Sequence, residues 1–166
     1  MKDFNDQLMD YNYWANGLIL KYTEKLSKDQ YLKSISPFQY SLRDILCHTM
    51  FAETLWLNRM QGQTMSRDQQ REFFQNENYT NLNTLYEDWF DLELRMRAFL
   101  GEMNDERLRE AFSYSRSNGK THNHRFVDVF TQLVFHGMQH RSECAVILTE
   151  FGHSPGNIDY IVYLRP

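Results

Sequence analysis

The chain has 166 residues, of which 42% are hydrophobic and 24% charged, a composition typical of a folded globular protein and not of a disordered segment. Acidic residues outnumber basic ones by 22 to 18, which leaves no basic excess to neutralise a nucleic-acid backbone. The sequence has no run of about 18 apolar residues, so no membrane span is predicted. Its first residues are acidic and lack the basic region of a signal peptide. The two cysteines lie far apart and indicate no disulfide framework, so we expect a cytoplasmic protein. Length, charge and the lack of an apolar run predict one domain over residues 1–166 that binds neither nucleic acid nor membrane.

The first predicted element is a long helix. Three prolines and seven glycines leave long uninterrupted segments, and apolar residues spaced three and four apart predict a helix over residues 3–26. Ser27 and Gln30 then have the spacing of a capping box, which predicts a short helical turn. Pro37 is expected to break the chain after that turn.

Two further long helices are predicted in the middle of the chain. The second spans residues 41–60, with Ser41 as its N-cap and Asp44 in its first turn. Residues 63–79 are polar and predict a connection that contains at most a helical turn. The third long helix spans residues 81–100, where apolar residues again follow a helical period.

The pattern changes before the last long helix. Residues 112–115 and 121–126 alternate between polar and apolar, and Asn118-Gly119 is a strong hairpin turn, so we expect a small β-hairpin or extended excursion here. A fourth long helix follows over residues 127–151, and Asn157 is expected to cap a short final helix that ends near residue 163. Four long amphipathic helices predict an all-α fold, a four-helix bundle.

Two histidines lie one turn apart on the fourth helix. With Leu133 taken as the centre of the apolar face, His140 falls about 20° and His136 about 60° from it, so both are expected to point toward the core. The His-x-x-x-His spacing suits two ligands of one metal ion. A satisfied core pair or a polar patch is the alternative interpretation of this spacing alone.

A third histidine strengthens the metal interpretation. On the second helix, the core face is predicted to centre on Ile45, with His48 about 60° away. The other members of that predicted face are Thr49, Ala52, Trp56 and Met60. Three imidazoles from two helices would satisfy one ring nitrogen each on a shared ion and leave coordination positions open, as in catalytic metal sites.

The remaining histidines and both cysteines are predicted to have structural roles. His122 and His124 share one face of the predicted hairpin and are interpreted as a solvated edge. His153 is expected to lie at the surface or to cap a helix C-terminus. Cys47 and Cys144 are expected to pack in the core, although Cys144 lies on the same face as His140.

Glu53 is a weaker candidate for a role in the site. It lies about 80° from the predicted centre of the second helix's apolar face. Either it accepts a hydrogen bond beside the metal or transfers a proton, or it is an edge carboxylate in a surface ion pair.

The arrangement of these residues resembles the DinB superfamily of four-helix-bundle proteins, which includes metal-dependent bacillithiol- and mycothiol-type S-transferases. The resemblance extends over nearly the whole chain. Its residues are Tyr13-Trp14-Ala15-Asn16 in the first helix, His48, Glu53 and Trp56-Leu57 in the second, and His136-x-x-x-His140-Arg141, Gly152, Pro155 and Asp159 near the end. The sequence departs from the family pattern at Ser142-Glu143, where the family has Gly-Gln.

The resemblance implies a divalent metal ion, Zn²⁺ or Ni²⁺, held by His48, His136 and His140, with water or substrate completing its shell. It also implies a homodimer, but it does not fix the reaction. The leading hypothesis is a thiol S-transferase, in which the metal binds a low-molecular-weight thiol as thiolate and this thiolate attacks a small electrophile. Arg141, next to a ligand, would either steer an anionic thiol or serve a surface or interface role. Two other functions fit the same residues: a metal-dependent hydrolase, and a non-catalytic, stress-related metal-binding or interaction bundle.

Overall fold

The computed structural model describes residues 1–35, 40–116 and 119–165, and helices make up most of it. In chain order the elements are α1 (Lys2–Thr23), α2 (Lys28–Leu32), α3 (Leu42–Met60), α4 (Arg67–Phe73), a 3₁₀ turn (Asn76–Tyr79), α5 (Leu82–Gly101), α6 (Asp105–Arg109), β1 (Ala111–Ser115), β2 (Thr121–Arg125), α7 (Phe126–Glu150) and α8 (Tyr160–Tyr163). Among the described helices, none is both long enough and apolar enough to cross a bilayer. The predicted break at Pro37 lies outside the described residues.

The four long helices form the predicted bundle. Helix α1 packs against α7, α7 against α3, α3 against α5, and α5 against α1, so the four enclose one core. Removing the apolar stripe of each helix from water is the main stabilising contribution to this arrangement. The largest fully buried side chains include Met9, Ile19, Leu57, Leu85, Met96, Phe126, Phe130 and Leu133. The all-α fold class is thereby confirmed.

Side-chain caps fix where the helices begin. Ser27 and Gln30 form the predicted capping box at α2, and Ser41 with Asp44 forms another at the start of α3. In each box the serine hydroxyl accepts a hydrogen bond from a first-turn N–H group that has no partner within the helix. The start of α3 is important for the site, because His48 lies less than two turns further along.

Two segments differ from the prediction. The polar connection over residues 63–79 contains a real helix, α4, and a 3₁₀ turn; Ser66 and Gln69 form a capping box at the start of α4. Near the C-terminus, Asn157 does not cap α8. Its Oδ1 accepts a hydrogen bond from the Asp159 N–H at 2.8 Å, and Asp159 takes the N-cap position. The amide therefore forms a local turn that precedes the helix.

The predicted hairpin is present between α6 and α7. Strands β1 and β2 pair in antiparallel register, with Phe112 opposite His124 and Tyr114 opposite His122. Gly119 has a φ of +79°, a conformation that glycine adopts readily and that a hairpin turn requires. Asn118, the other residue of the predicted turn, lies outside the described residues.

The buried face of α3 is turned relative to the prediction. It centres near Glu53, about 80° from Ile45 on the helical wheel, whereas Ala52 and Trp56 are only half-buried and His48 is exposed. On α7, the half-buried His136 and His140 also lie to one side of the buried face. The three histidines are therefore not in the core but at the edge of the contact between α3 and α7.

Candidate metal centre

Three imidazoles converge where α3 meets α7. The Nε2 atom of His136 lies 3.2 Å from that of His48 and 3.2 Å from that of His140. The ligand atoms of all three residues lie within 4.8 Å of one another. The structure thus brings together the three histidines that the sequence predicted as ligands, although at the bundle's edge.

This donor set fits a divalent ion. Tetrahedral bonds of about 2.0–2.1 Å from Zn²⁺ to imidazole nitrogen place two ligand atoms about 3.3 Å apart, close to the two spacings of 3.2 Å. Burial, and then the neighbouring histidines, lower the pKa of His136 to about 4; burial and His140 also lower the pKa of His48. At neutral pH these rings are therefore uncharged and keep a lone pair for a metal.

A carboxylate orients one of the three rings. Glu143 Oε2 lies 2.7 Å from Nδ1 of His140, three residues earlier on α7. This contact favours the ring proton on Nδ1, which leaves the Nε2 lone pair available to a metal. In the sequence Glu143 stands out only as a departure from the family pattern, although its (i, i+3) spacing from His140 is a usable signal.

A cleft of about 660 Å³ opens beside the histidines. His48, His140 and Glu143 form part of one wall. The other described lining residues are Tyr40, Asp44, Ile45, Phe51, Ala52, Leu55, Gln70, Phe74 and Asn76. A mostly apolar concave surface with a few polar groups is typical of a small-molecule site.

Asp44 ties the start of α3 to the far wall of this cleft. Its carboxylate accepts hydrogen bonds from Ser41 Oγ at 2.6 Å, from Arg43 Nη2 at 2.9 Å and from Asn76 Nδ2 at 2.8 Å. The bond from Asn76 joins α3 to the 3₁₀ turn, 32 residues further along the chain. The polar segment 63–79 therefore contributes to the candidate site, which the sequence did not reveal.

Glu53 is buried away from the histidines, which corrects the interpretation of an edge carboxylate in a surface pair. Only 1% of it is exposed, and its carboxylate accepts hydrogen bonds from Trp89 Nε1 at 3.2 Å and from the Asn12 and Asn16 side chains at 3.5 Å. Burial raises the pKa of Glu53 to about 7. None of its hydrogen bonds reaches His48, His136 or His140.

Arg141 belongs to the same buried network. This corrects both roles predicted for it from the sequence, steering an anionic thiol and serving at a surface or interface. It is 3% exposed, and Nη1 donates to Oδ1 of Asn12 at 2.6 Å and of Asn16 at 2.7 Å. The two asparagines thus bridge Arg141 to Glu53 across the bundle. Arg141 neither lines the cleft nor lies on the surface, so it is not placed to steer a thiol.

The remaining candidates keep structural roles. The rings of His122 and His124 stack on the Tyr114 ring, at centroid distances of 5.7 and 5.8 Å, and neither histidine joins the cluster of three. His124 is exposed as predicted, whereas His122 is half-buried. Both Cys47 and Cys144 are buried free thiols, as predicted. Burial raises the pKa of each thiol, which disfavours the thiolate form needed to bind a metal.

Comparison with known proteins places this architecture in a family. The sequence profile described as "DinB family" matches residues 1–166. Protein DinB of Bacillus subtilis (strain 168) is 24% identical over 169 residues, covering 99% of this chain and 95% of that protein. A DinB-like protein from Bacillus cereus ATCC 10987 superposes with a TM-score of 0.66 at 14% identity, over 90% of this chain and 94% of that one; this likeness concerns the fold.

Proposed function

The chain belongs to the DinB family, and from this premise we propose that it is a metal-dependent thiol S-transferase that joins a low-molecular-weight thiol to a small electrophile. One observation carries the proposal: three imidazole donors converge at the wall of an apolar cleft. A purely structural site would be expected to have four protein ligands and no adjoining cavity. Three ligands beside a cleft leave room for a reacting molecule.

The ion expected at the three histidines is Zn²⁺ or Ni²⁺, since imidazole suits both. When bound, it would act as a Lewis acid that lowers the pKa of a thiol and favours the more nucleophilic thiolate. The chain's own contribution begins with Glu143, which fixes the orientation of the His140 ring through the 2.7 Å contact to Nδ1. His48 and His136 supply the other two nitrogen donors.

The cleft would hold the electrophile next to the thiol. Apolar walls that include Phe51, Leu55 and Phe74 exclude water from the reacting atoms and limit competing hydrolysis. In the reaction, the thiol sulfur forms a bond to an electrophilic carbon, the leaving group departs with the electron pair of the broken bond, and the thiol proton passes to solvent. The enzyme gains its rate from holding the two reactants together in the correct orientation.

The proposal is tested with tag-free protein loaded with Zn²⁺ or Ni²⁺. The protein is mixed with 1-chloro-2,4-dinitrobenzene and one thiol, which is cysteine, glutathione or bacillithiol in parallel reactions. Thioether formation is followed by absorbance and mass spectrometry. We expect metal-dependent transfer with at least one thiol and its loss in His140→Ala, with the helical circular dichroism retained. A Glu87→Ala variant, changed at an exposed position on α5 outside the cleft, should keep the activity.

Other outcomes would contradict the proposal. Metal-dependent hydrolysis of the electrophile without thioether would favour the hydrolase. Full metal binding with no turnover of any thiol would favour the non-catalytic bundle, and unfolding of His140→Ala on loss of metal would add to that interpretation.

A further inference from the structure

We infer that the cleft beside the histidines selects uncharged, largely apolar electrophiles and disfavours anionic ones. This inference rests on the proposed function and deepens it by naming the class of acceptor substrate. It depends on two properties of the described lining, its apolar walls and the sign of its charges.

The apolar walls come mainly from two parts of the chain. Helix α3 contributes Ile45, Phe51, Ala52 and Leu55, and Phe74, just after α4, lies across from it. Phe51 and Phe74 are in direct contact, with ring centroids 5.0 Å apart. Aromatic and branched aliphatic side chains of this kind favour a ligand that offers apolar surface, since burial of that surface drives binding.

The charged groups along this lining are acidic. Asp44 and Glu143 are its charged residues, and within the described lining there is no lysine or arginine. The charge of Asp44 is matched by Arg43, which lies outside the lining, and Glu143 contacts His140. An anionic group on the electrophile would therefore lose its hydration without gaining a cationic partner from these side chains.

Arg141 does not alter this balance. Its guanidinium lies in the bundle core, where Asn12 and Asn16 accept its hydrogen bonds. The metal position at the three histidines would be the cationic part of the site, and in the proposed reaction the thiol occupies it. The body of the electrophile then occupies a cleft of about 660 Å³, a size typical of sites for drug-sized molecules.

The test compares two aromatic probes of matched size by isothermal titration calorimetry. They are 2-naphthaleneethanol, an uncharged alcohol, and 2-naphthylacetate, the carboxylate anion of 2-naphthylacetic acid. The full-length protein is first treated with a chelator, so that the carboxylate cannot bind a metal. We expect the uncharged alcohol to bind at least about fivefold more tightly than the anion, the effect of one like-charge contact at about 4 Å in bulk water. Equal affinities, or tighter binding of the anion, would overturn the inference.

A variant that adds a positive charge tests the cause. Gln70 lines the cleft, and Gln70→Lys adds a positive charge there, so it should raise the affinity for 2-naphthylacetate several-fold and leave the alcohol nearly unchanged. Glu72→Gln is the matched control, because it shifts the net charge equally on the same helix at an exposed position outside the cleft. An equal gain in both variants would show that net charge, and not the cleft, governs binding.

A second variant locates the probe. Ala52→Phe fills part of the cleft and should weaken binding of the alcohol at least about tenfold, by the scale of steric exclusion from an apolar pocket. Unchanged binding in folded Ala52→Phe protein would contradict this placement. These binding results are independent of transfer activity: the selectivity can hold in a protein that transfers no thiol, and an active transferase can lack it.

Discussion

At the scale of single residues, Glu143 has the most direct effect on the candidate metal centre. Carboxylates that orient a metal-bound histidine typically contribute 10- to 100-fold to metal affinity. We therefore predict that Glu143→Ala weakens Zn²⁺ binding by about 10- to 100-fold. Glu143→Gln should lose less, since an amide oxygen can still accept from His140 Nδ1. Competition with a chromogenic chelator measures both affinities.

The control for this prediction is Glu150→Ala, which removes the same charge from an exposed position on α7. It should leave the affinity unchanged. If Glu143→Ala and Glu150→Ala bind Zn²⁺ equally well, the contact between Glu143 and His140 has no role in the site.

Glu53 gives a pH-dependent prediction. Its pKa in the folded protein is about 7, above its usual value of 4.5, because of burial. Between these two values the folded protein binds more protons than the unfolded chain, so the contribution of this group to the free energy of unfolding falls as the pH rises. The loss is complete above the folded pKa and amounts to about 3 kcal/mol.

Urea unfolding of metal-free protein at several pH values from 4.5 to 8 measures this loss. Glu53→Gln has no titrating group at this position, so its stability relative to the parent chain should increase by about 3 kcal/mol across the range. The comparison cancels the contribution of the histidines, which titrate in both proteins. Parallel stability curves would show that Glu53 does not titrate in this range.

The sequence predicted which histidines would cluster better than it predicted their surroundings. The His136-x-x-x-His140 spacing and His48 were sufficient to predict which three rings would meet. Glu53 was misjudged because the centre of the buried face of α3 was placed about 80° away, at Ile45. Ala52 lines the cleft, and Trp56 packs against Tyr114 of the hairpin with ring centroids 5.3 Å apart. These half-buried residues shifted that estimate, since a helical wheel does not distinguish a core from an apolar cleft or a neighbouring hairpin.

At the scale of elements, Gly137 leaves room between α7 and α1 for the buried hydrogen bond from Arg141 to Asn12. A Cβ atom at this position would lie 2.6 Å from Nη1 of Arg141 and 2.6 Å from Oδ1 of Asn12. Gly137→Ala should therefore break the buried hydrogen bonds of Arg141 and cost about 1–3 kcal/mol in the free energy of unfolding. Chemical denaturation of the two proteins measures the difference.

Gly17 on α1 is the matched control. It is exposed, and a Cβ there would have no heavy atom within 4 Å. Gly17→Ala should raise stability by about 1 kcal/mol, the difference in helix propensity between the two residues. A Gly137→Ala variant that gains as much as Gly17→Ala would contradict the close approach of the two helices.

Predictions of elements succeeded where the local signal was strong. Long apolar periodicity predicted the four helices, and alternation with an Asn-Gly turn predicted the hairpin. A capping box predicted the start of α2, and Ser41 as N-cap predicted the start of α3. Helix α4 was missed because its seven residues are too polar to show a periodic pattern, although Ser66 and Gln69 carried a capping signal. Short helices of this kind are stabilised by their neighbours more than by their own sequence.

At the scale of the whole molecule, the cleft joins residues distant in sequence. Its walls come from α3, from the segment that contains α4 and the 3₁₀ turn, and from α7, and the bond between Asn76 and Asp44 spans 32 residues. Such contacts depend on tertiary packing, which local patterns do not encode. The homodimer stays a prediction; α7 carries the exposed apolar side chains Phe135, Met138 and Val146.

The central claim is that His48, His136 and His140 together hold one divalent ion. The most direct measurement is elemental analysis of tag-free protein beside its three single His→Ala variants, each checked for folding by circular dichroism. The account predicts about one equivalent of Zn²⁺ or Ni²⁺ in the parent chain, and loss of that ion in every variant because three imidazole donors share it. Absence of metal in the parent chain, with none taken up on addition of either ion, would contradict it.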